Sequence, residues 1–170
     1  MTGTEGDGGL HFASPHVRAI YVYWAGLRQG RIAPATTDVD ALAIPRQALP
    51  HVLLVDIHPQ PFRVNYRLVG THGVGVFNMD YTGRFLDELD MPADVHHQLH
   101  EHYVLAARTC APVAGSYRWP LMAGGDTTSE YVLLPLLDSA GAVTRFLCGE
   151  HVGQFQQARA DRLVPKKMRA

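Results

Sequence analysis

Hydrophobic positions along the chain follow two periods, and the points where the period changes divide it into elements. After a start without apolar periodicity, Val17, Ile20, Tyr21, Trp24 and Leu27 fall at helical spacing behind Ser14 and Pro15. A hydroxyl at the cap and a proline in the first turn suit a helix start, and Gly30 suits its stop. Pro34, Pro45 and Pro50 keep residues 31–50 in loop with at most a short helical turn. His51 to Ile57 is nearly all aliphatic, the pattern of a strand covered on both faces. Phe62, Val64, Tyr66 and Leu68 then alternate with Arg63, Asn65 and Arg67. His58-Pro59-Gln60-Pro61 between the two runs predicts an antiparallel hairpin.

The middle third returns to helical spacing. Thr71 to Asp80 predicts one or two irregular turns, ended by Thr82-Gly83. From Pro92 to about Arg108 a longer helix is expected. Val95, Leu99, His102, Tyr103, Ala106 and Cys110 share its apolar stripe, and His97, Glu101 and Arg108 lie opposite. Val113, Tyr117, Trp119 and Leu121 alternate with Ala114, Ser116 and Arg118 as a third strand. Gly124-Gly125-Asp126 turns the chain into Thr128 to Leu137. Asp138-Ser139-Ala140-Gly141, with Asp first and Gly last, reads as a type I turn into a last strand over Ala142 to Val152. This order predicts an α+β domain, an antiparallel sheet with helices on one face and an N-terminal helical extension. The divisions expected are a disordered leader at 1–14, helix and connector at 15–50, the sheet domain at 51–152, and a basic tail at 153–170.

Composition narrows the classes. With 46% apolar and 18% charged residues in a chain of 170, a packed core is expected rather than disorder. A net charge of −1 gives no global reason to bind nucleic acid or acidic lipid, and neither partner is expected. The last 18 residues carry a local +4, which reads as a solvated end. No apolar run approaches the ~18 residues of a membrane span, and the first residues lack a signal peptide's basic and apolar regions. Cys110 and Cys148 make no disulfide framework, so a cytoplasmic location is expected.

Ten histidines are many for this length, and protonating all of them would move the formal charge from −1 to +9. His96 and His100 stand four apart on one helical face, the spacing of two imidazoles on one ion. The sequence nominates no third and fourth ligand among the distant His51, His58, His72 and His151, so solvated histidines and no zinc are expected. Gly-x-Ser-x-Gly is absent, and both cysteines read as inert thiols. Gly73-Val74-Gly75 has Asn78 where a dinucleotide loop needs its third glycine, and no parallel unit surrounds it. No catalytic residue, cofactor or metal site is nominated. Phe77, His102, Tyr103, Tyr117 and Trp119 fall where the helical middle covers the sheet. They are expected to line a pocket for a small, largely apolar or aromatic molecule.

Four stretches carry a resemblance. They are Leu49-Pro50-His51-Val52-Leu53-Leu54-Val55-Asp56, Asn65-Tyr66-Arg67-Leu68-Val69-Gly70-Thr71, Thr82-Gly83-Arg84 and Glu130-Tyr131-Val132-Leu133-Leu134-Pro135-Leu136. With the helix containing Trp24 and Arg28-Gln29-Gly30-Arg31, they resemble the bacterial family of small stand-alone PAS-like proteins from about Val17 to Gly149. Thr36 stands where that family usually has an arginine in Pro34-Ala35-Thr36-Thr37-Asp38, and Tyr131-Val132 where it usually has Arg-Leu.

The resemblance implies a five-stranded PAS sheet with helices between its second and third strands. It also implies a cytoplasmic sensory or adaptor module without catalysis of its own. Such a module binds a small molecule or a protein partner in signalling. The Asn-Cys-Arg-Phe run of light-sensing relatives is absent, so no photochemistry is expected. A homodimer through Ile20, Tyr21 and Trp24 of the flanking helix is expected as well. Two other functions fit the residues: a small α+β-cone enzyme of isomerase or lyase type using Tyr103 with His102 or an acid as proton-transfer groups, and a metal-binding module centred on His96 and His100.

Overall fold

Five strands form the centre of the computed structural model, which describes residues 10–121 and 124–153. They are β1 (Val52–Pro59), β2 (Phe62–Val69), β3 (Val113–Pro120), β4 (Asp126–Leu137) and β5 (Val143–Gly153). All neighbours are antiparallel, in the order β2-β1-β5-β4-β3. The last strand therefore lies in the middle, pairing Leu53 with Cys148 on one side and Leu133 with Cys148 on the other. Three helices complete the domain: α1 (Pro15–Arg28), α2 (Thr71–Phe77) and α3 (Ala93–Thr109). The expected α+β order holds, with the strands, α1 and α3 within about two residues of their sequence-based bounds, while α2 ends three residues before Asp80.

Period-two alternation gives the sheet two apolar faces. Val55, Tyr66, Leu133, Phe146 and Cys148 join Val95, Leu99, Tyr103 and Ala106 of α3 in one core. Val132, Leu134, Leu136 and Leu147 point the other way and join Val17, Ile20 and Trp24 of α1 in a second. The N-terminal helix is thus a full layer on the far face. This corrects the expected interface: Ile20, Tyr21 and Trp24 are buried by their own chain's sheet. Their apolar surface is spent within the chain, because β4 and β5 are aliphatic on both faces.

The start of α1 is fixed twice. Ser14 Oγ accepts from the His16 and Val17 amides, and the Glu130 carboxylate accepts from the Ala13 and Ser14 amides at 2.8 and 2.7 Å. Phe12 and Ser14 are buried, so the leader expected to end at residue 14 is packed from Phe12 onward. Residues 1–9 of that leader and 154–170 of the basic tail lie outside the described residues. Thr36 cannot supply a cation to Asp38, and Arg31 does so at 2.7 Å.

Candidate functional site

Between the sheet and the α2–α3 side lies a cavity of about 40 Å³. Its floor is Leu53, Tyr66, Leu133, Cys148 and Glu150, and Tyr103 closes it from α3. Phe77 and Trp119 meet over it with ring centroids 4.8 Å apart. Tyr117 and Tyr131 stand 5.8 Å apart along the β3–β4 side. Gly115 makes room for this wall, since a Cβ there would lie 2.5 Å from Tyr131 Oη.

Four of the five expected pocket residues, Phe77, Tyr103, Tyr117 and Trp119, are on the wall. His102 is not. It precedes Tyr103 by one residue, a helical rotation of about 100°, which carries its ring behind Tyr131, where Nδ1 and the Tyr131 hydroxyl are 2.8 Å apart. Gln98 donates to the same hydroxyl at 2.9 Å. Tyr103 and His102 therefore face different groups and make no acid–base pair.

Glu150 is the residue that pattern reading passed over. It lies in the last strand two positions after Cys148, so the same pleat that turns the thiol inward turns the carboxyl inward. Its Oε1 accepts from the Ser129 hydroxyl at 2.5 Å and from the Tyr117 hydroxyl. Burial raises the Glu150 carboxyl above its ordinary range, while the two hydroxyls and His72 pull the other way. A glutamate amid an apolar strand was the one available signal.

The remaining polar groups are held neutral. Burial raises the Tyr66, Tyr81, Tyr103 and Tyr117 hydroxyls far above the ordinary phenol value. Burial also pushes the Cys148 thiol up to about 12, with Tyr103 Oη 3.6 Å from its sulfur. A protonated thiol is no nucleophile. The site is an apolar box with hydroxyl tips and one carboxyl, the composition of a binding cavity.

The family model described as PAS domain matches residues 12–149. The chain belongs to the PAS domain family. A search among curated proteins finds no match. Among solved structures, a light-oxygen-voltage domain studied with a flavin analogue is 14% identical, with a TM-score of 0.51, covering 69% of this chain and 87% of that one. The N-terminal domain of a diguanylate cyclase with a PAS/PAC sensor from Marinobacter aquaeolei is 13% identical, with a TM-score of 0.46, covering 64% and 98%. A sensory box histidine kinase/response regulator from Burkholderia thailandensis is 13% identical, with a TM-score of 0.47, covering 73% and 92%.

In this PAS domain the stretch between α2 and α3 forms the outer wall of the cavity through Met79, Tyr81, Leu89 and Met91. Its middle is stapled to β2. Gly83 N donates to Tyr66 O at 2.6 Å and Tyr66 N to Arg84 O at 2.9 Å. Arg63 grips Asp87 at 2.7 and 2.8 Å and lies 3.7 Å over the Phe85 ring. The flanks, Phe77–Asp80 and Leu89–Met91, carry Met79 and Met91, whose unbranched side chains adapt to irregular spaces.

A wider groove of about 470 Å³ opens on the other face, between the 39–50 connector and the β1–β2 edge. Among its lining residues Arg46 alone carries a charge. It lacks the convergent polar groups of the PAS cavity. His96 and His100 gather no third ligand among the described residues. His100 instead packs edge-on against Phe62.

Proposed function

We propose that this PAS domain senses a small, largely apolar or aromatic molecule taken into the cavity between the sheet and α3. The observation that carries this reading is a buried carboxyl set among aromatic rings. A ligand flat enough to lie between Trp119 and Tyr103 would offer a hydroxyl or amine to Glu150. Oε1 already accepts from Tyr117 and Ser129, so Oε2 is the acceptor for it. About 40 Å³ holds a few waters at most, whereas ligand sites run to ~300 Å³ or more. Uptake therefore requires outward movement of the Phe77–Asp80 and Leu89–Met91 flanks, and that movement is the signal.

The neutral thiol and phenols support a sensor rather than a catalyst. No helix among the described residues is long and apolar enough to cross a membrane, and both cysteines are free thiols, which supports action in the cytoplasm. The output passes to a protein partner or to a second copy of the chain. Thermal denaturation against a metabolite panel tests the reading. A ligand-dependent rise in Tm that Trp119→Ala and Tyr117→Phe both reduce is expected. No rise for any aromatic or apolar compound would reject it.

A further inference from the structure

Four histidines distant in sequence meet at one end of the sheet. His16 comes from the first turn of α1, His51 from the residue before β1, His72 from the first turn of α2, and His151 from the end of β5. The His16 and His51 rings are stacked at 4.2 Å, His51 and His151 are 5.0 Å apart, and His72 lies over His151 at 4.8 Å. One ring nitrogen from each of His16, His51 and His151 falls within 4.8 Å of the others.

The geometry points to a divalent metal site of the zinc class built by His16, His51 and His151. Three imidazoles without a carboxylate suit zinc or its neighbours and not magnesium or calcium. The site stands apart from the sensing reading and does not depend on it.

Existing contacts orient the His51 ring and anchor the His16 main chain. His51 Nδ1 lies 3.0 Å from the Glu150 carbonyl, which can only accept, so Nδ1 carries the proton and Nε2 keeps its lone pair. A ligating histidine that donates its other N–H to a backbone carbonyl is the usual arrangement. His16 is held by the Ser14 cap and by Glu130's grip on the Ala13 and Ser14 amides. His72 Nε2 is engaged with the Val152 main chain, 3.0 Å from its oxygen and 3.1 Å from its nitrogen, so its ring serves as a wall behind His151.

Ligand nitrogens on a tetrahedral zinc stand about 3.3 Å apart, given bonds of about 2.0–2.1 Å. The His16 ring lies nearly parallel to the His51 ring, at 8°, so their in-plane lone pairs do not meet at one point. Binding requires His16 to swing out of this stack about its side-chain torsions while His151 turns toward the same ion. A water or a small donor would complete the fourth position.

The test uses tag-free full chain, stripped with a chelator and titrated with zinc alone, and with cobalt as a visible probe. We expect one ion per chain, a zinc-dependent rise in Tm, and the cobalt absorption of a nitrogen-ligated site. His16→Asn and His151→Gln should each weaken binding by at least about tenfold, while the His96→Ala/His100→Ala double variant binds like the wild type. His16→Asn changes a partly exposed residue of the first helical turn, so its fold can be confirmed by its metal-free Tm. Absence of stoichiometric zinc or cobalt, or binding lost in the His96/His100 variant and kept in His16→Asn, would overturn the assignment.

Discussion

The indole Nε1 of Trp24 donates to the main-chain carbonyl of Pro135 at 2.9 Å, a buried bond between residues 111 apart in sequence. It explains how a proline sits in a strand of this sheet. A strand residue presents its nitrogen and its carbonyl to the same side, so the Pro135 nitrogen also faces away from β5. The β3 ladder has already ended at Leu133, and Pro135 breaks no pairing. The same bond fastens α1 to the far face.

Trp24 is fully buried, so Trp24→Phe should lose chiefly the hydrogen bond, at about 1–2 kcal/mol. Trp24→Ala should also leave a cavity and cost about 3–5 kcal/mol. Denaturant midpoints at constant slope provide the check. Equal midpoints for wild type and Trp24→Ala would mean that α1 is not part of the cooperative unit.

Gly115 faces the Tyr131 ring, and any Cβ there meets Oη at 2.5 Å and Cζ at 2.7 Å. Gly115→Ala should destabilise by about 1–3 kcal/mol through overpacking. In a Tyr131→Phe background, with the oxygen gone, the same change should cost less. A double-mutant cycle with zero coupling would show that the backbone moves and the ring does not.

Much of this fold is written in period. The alternations through Phe62–Leu68 and Val113–Leu121 and the stripe Val95, Leu99, Tyr103, Ala106 determine which side chains face inward, and three of the five expected cavity residues, Tyr103, Tyr117 and Trp119, follow from them. What pattern cannot supply is which ends meet. His16, His51, His72 and His151 each lie at an element boundary, where no period operates, and only the strand order β2-β1-β5-β4-β3 brings them together. Glu150 escaped for a different reason. A single polar residue in an aliphatic strand acquires meaning only when Ser129 and Tyr117 are seen across the ladder. Ile20, Tyr21 and Trp24 show the converse, because an apolar stripe says that it will be covered but not by what.

Glu150 should make stability depend on pH. Burial raises its carboxyl above the ordinary 4.5, so the folded chain holds this proton to higher pH than the unfolded chain does. Its stabilising contribution is complete below the unfolded value and is lost as pH rises through the folded one. Glu150→Gln keeps an oxygen for the Ser129 and Tyr117 hydroxyls and carries no charge. The variant should gain on the wild type as pH rises from about 4.5 and match it in acid. A constant difference across pH would show that the carboxyl is not shifted.

The two thiols should react differently. Cys148 is buried with its thiol pushed up to about 12, whereas Cys110 is part-exposed at the end of α3 and raised only by partial burial. A thiol reagent at neutral pH should label Cys110 alone until the chain unfolds. Labelling of Cys148 in the native state, read by peptide mass spectrometry, would reveal that the cavity opens without ligand.

Arg63 tests how the outer wall is held. Its guanidinium bonds both Asp87 oxygens, reaches Glu88 at 3.6 Å and lies over Phe85, tying the stretch between α2 and α3 to β2. These groups are largely solvated, and exposed ion pairs add little to global stability. Arg63→Ala should therefore leave the denaturation midpoint nearly unchanged. Its effect belongs to local opening, which has its own free energy within the folded state. Hydrogen exchange should quicken at the Gly83 and Tyr66 amides, which bond across this junction, while the amides of the β4–β5 ladder stay protected. Faster exchange over the whole sheet would mean that the wall is part of the global fold. Unchanged exchange at Gly83 would mean that the backbone bonds hold it without Arg63, and that the cavity must open elsewhere.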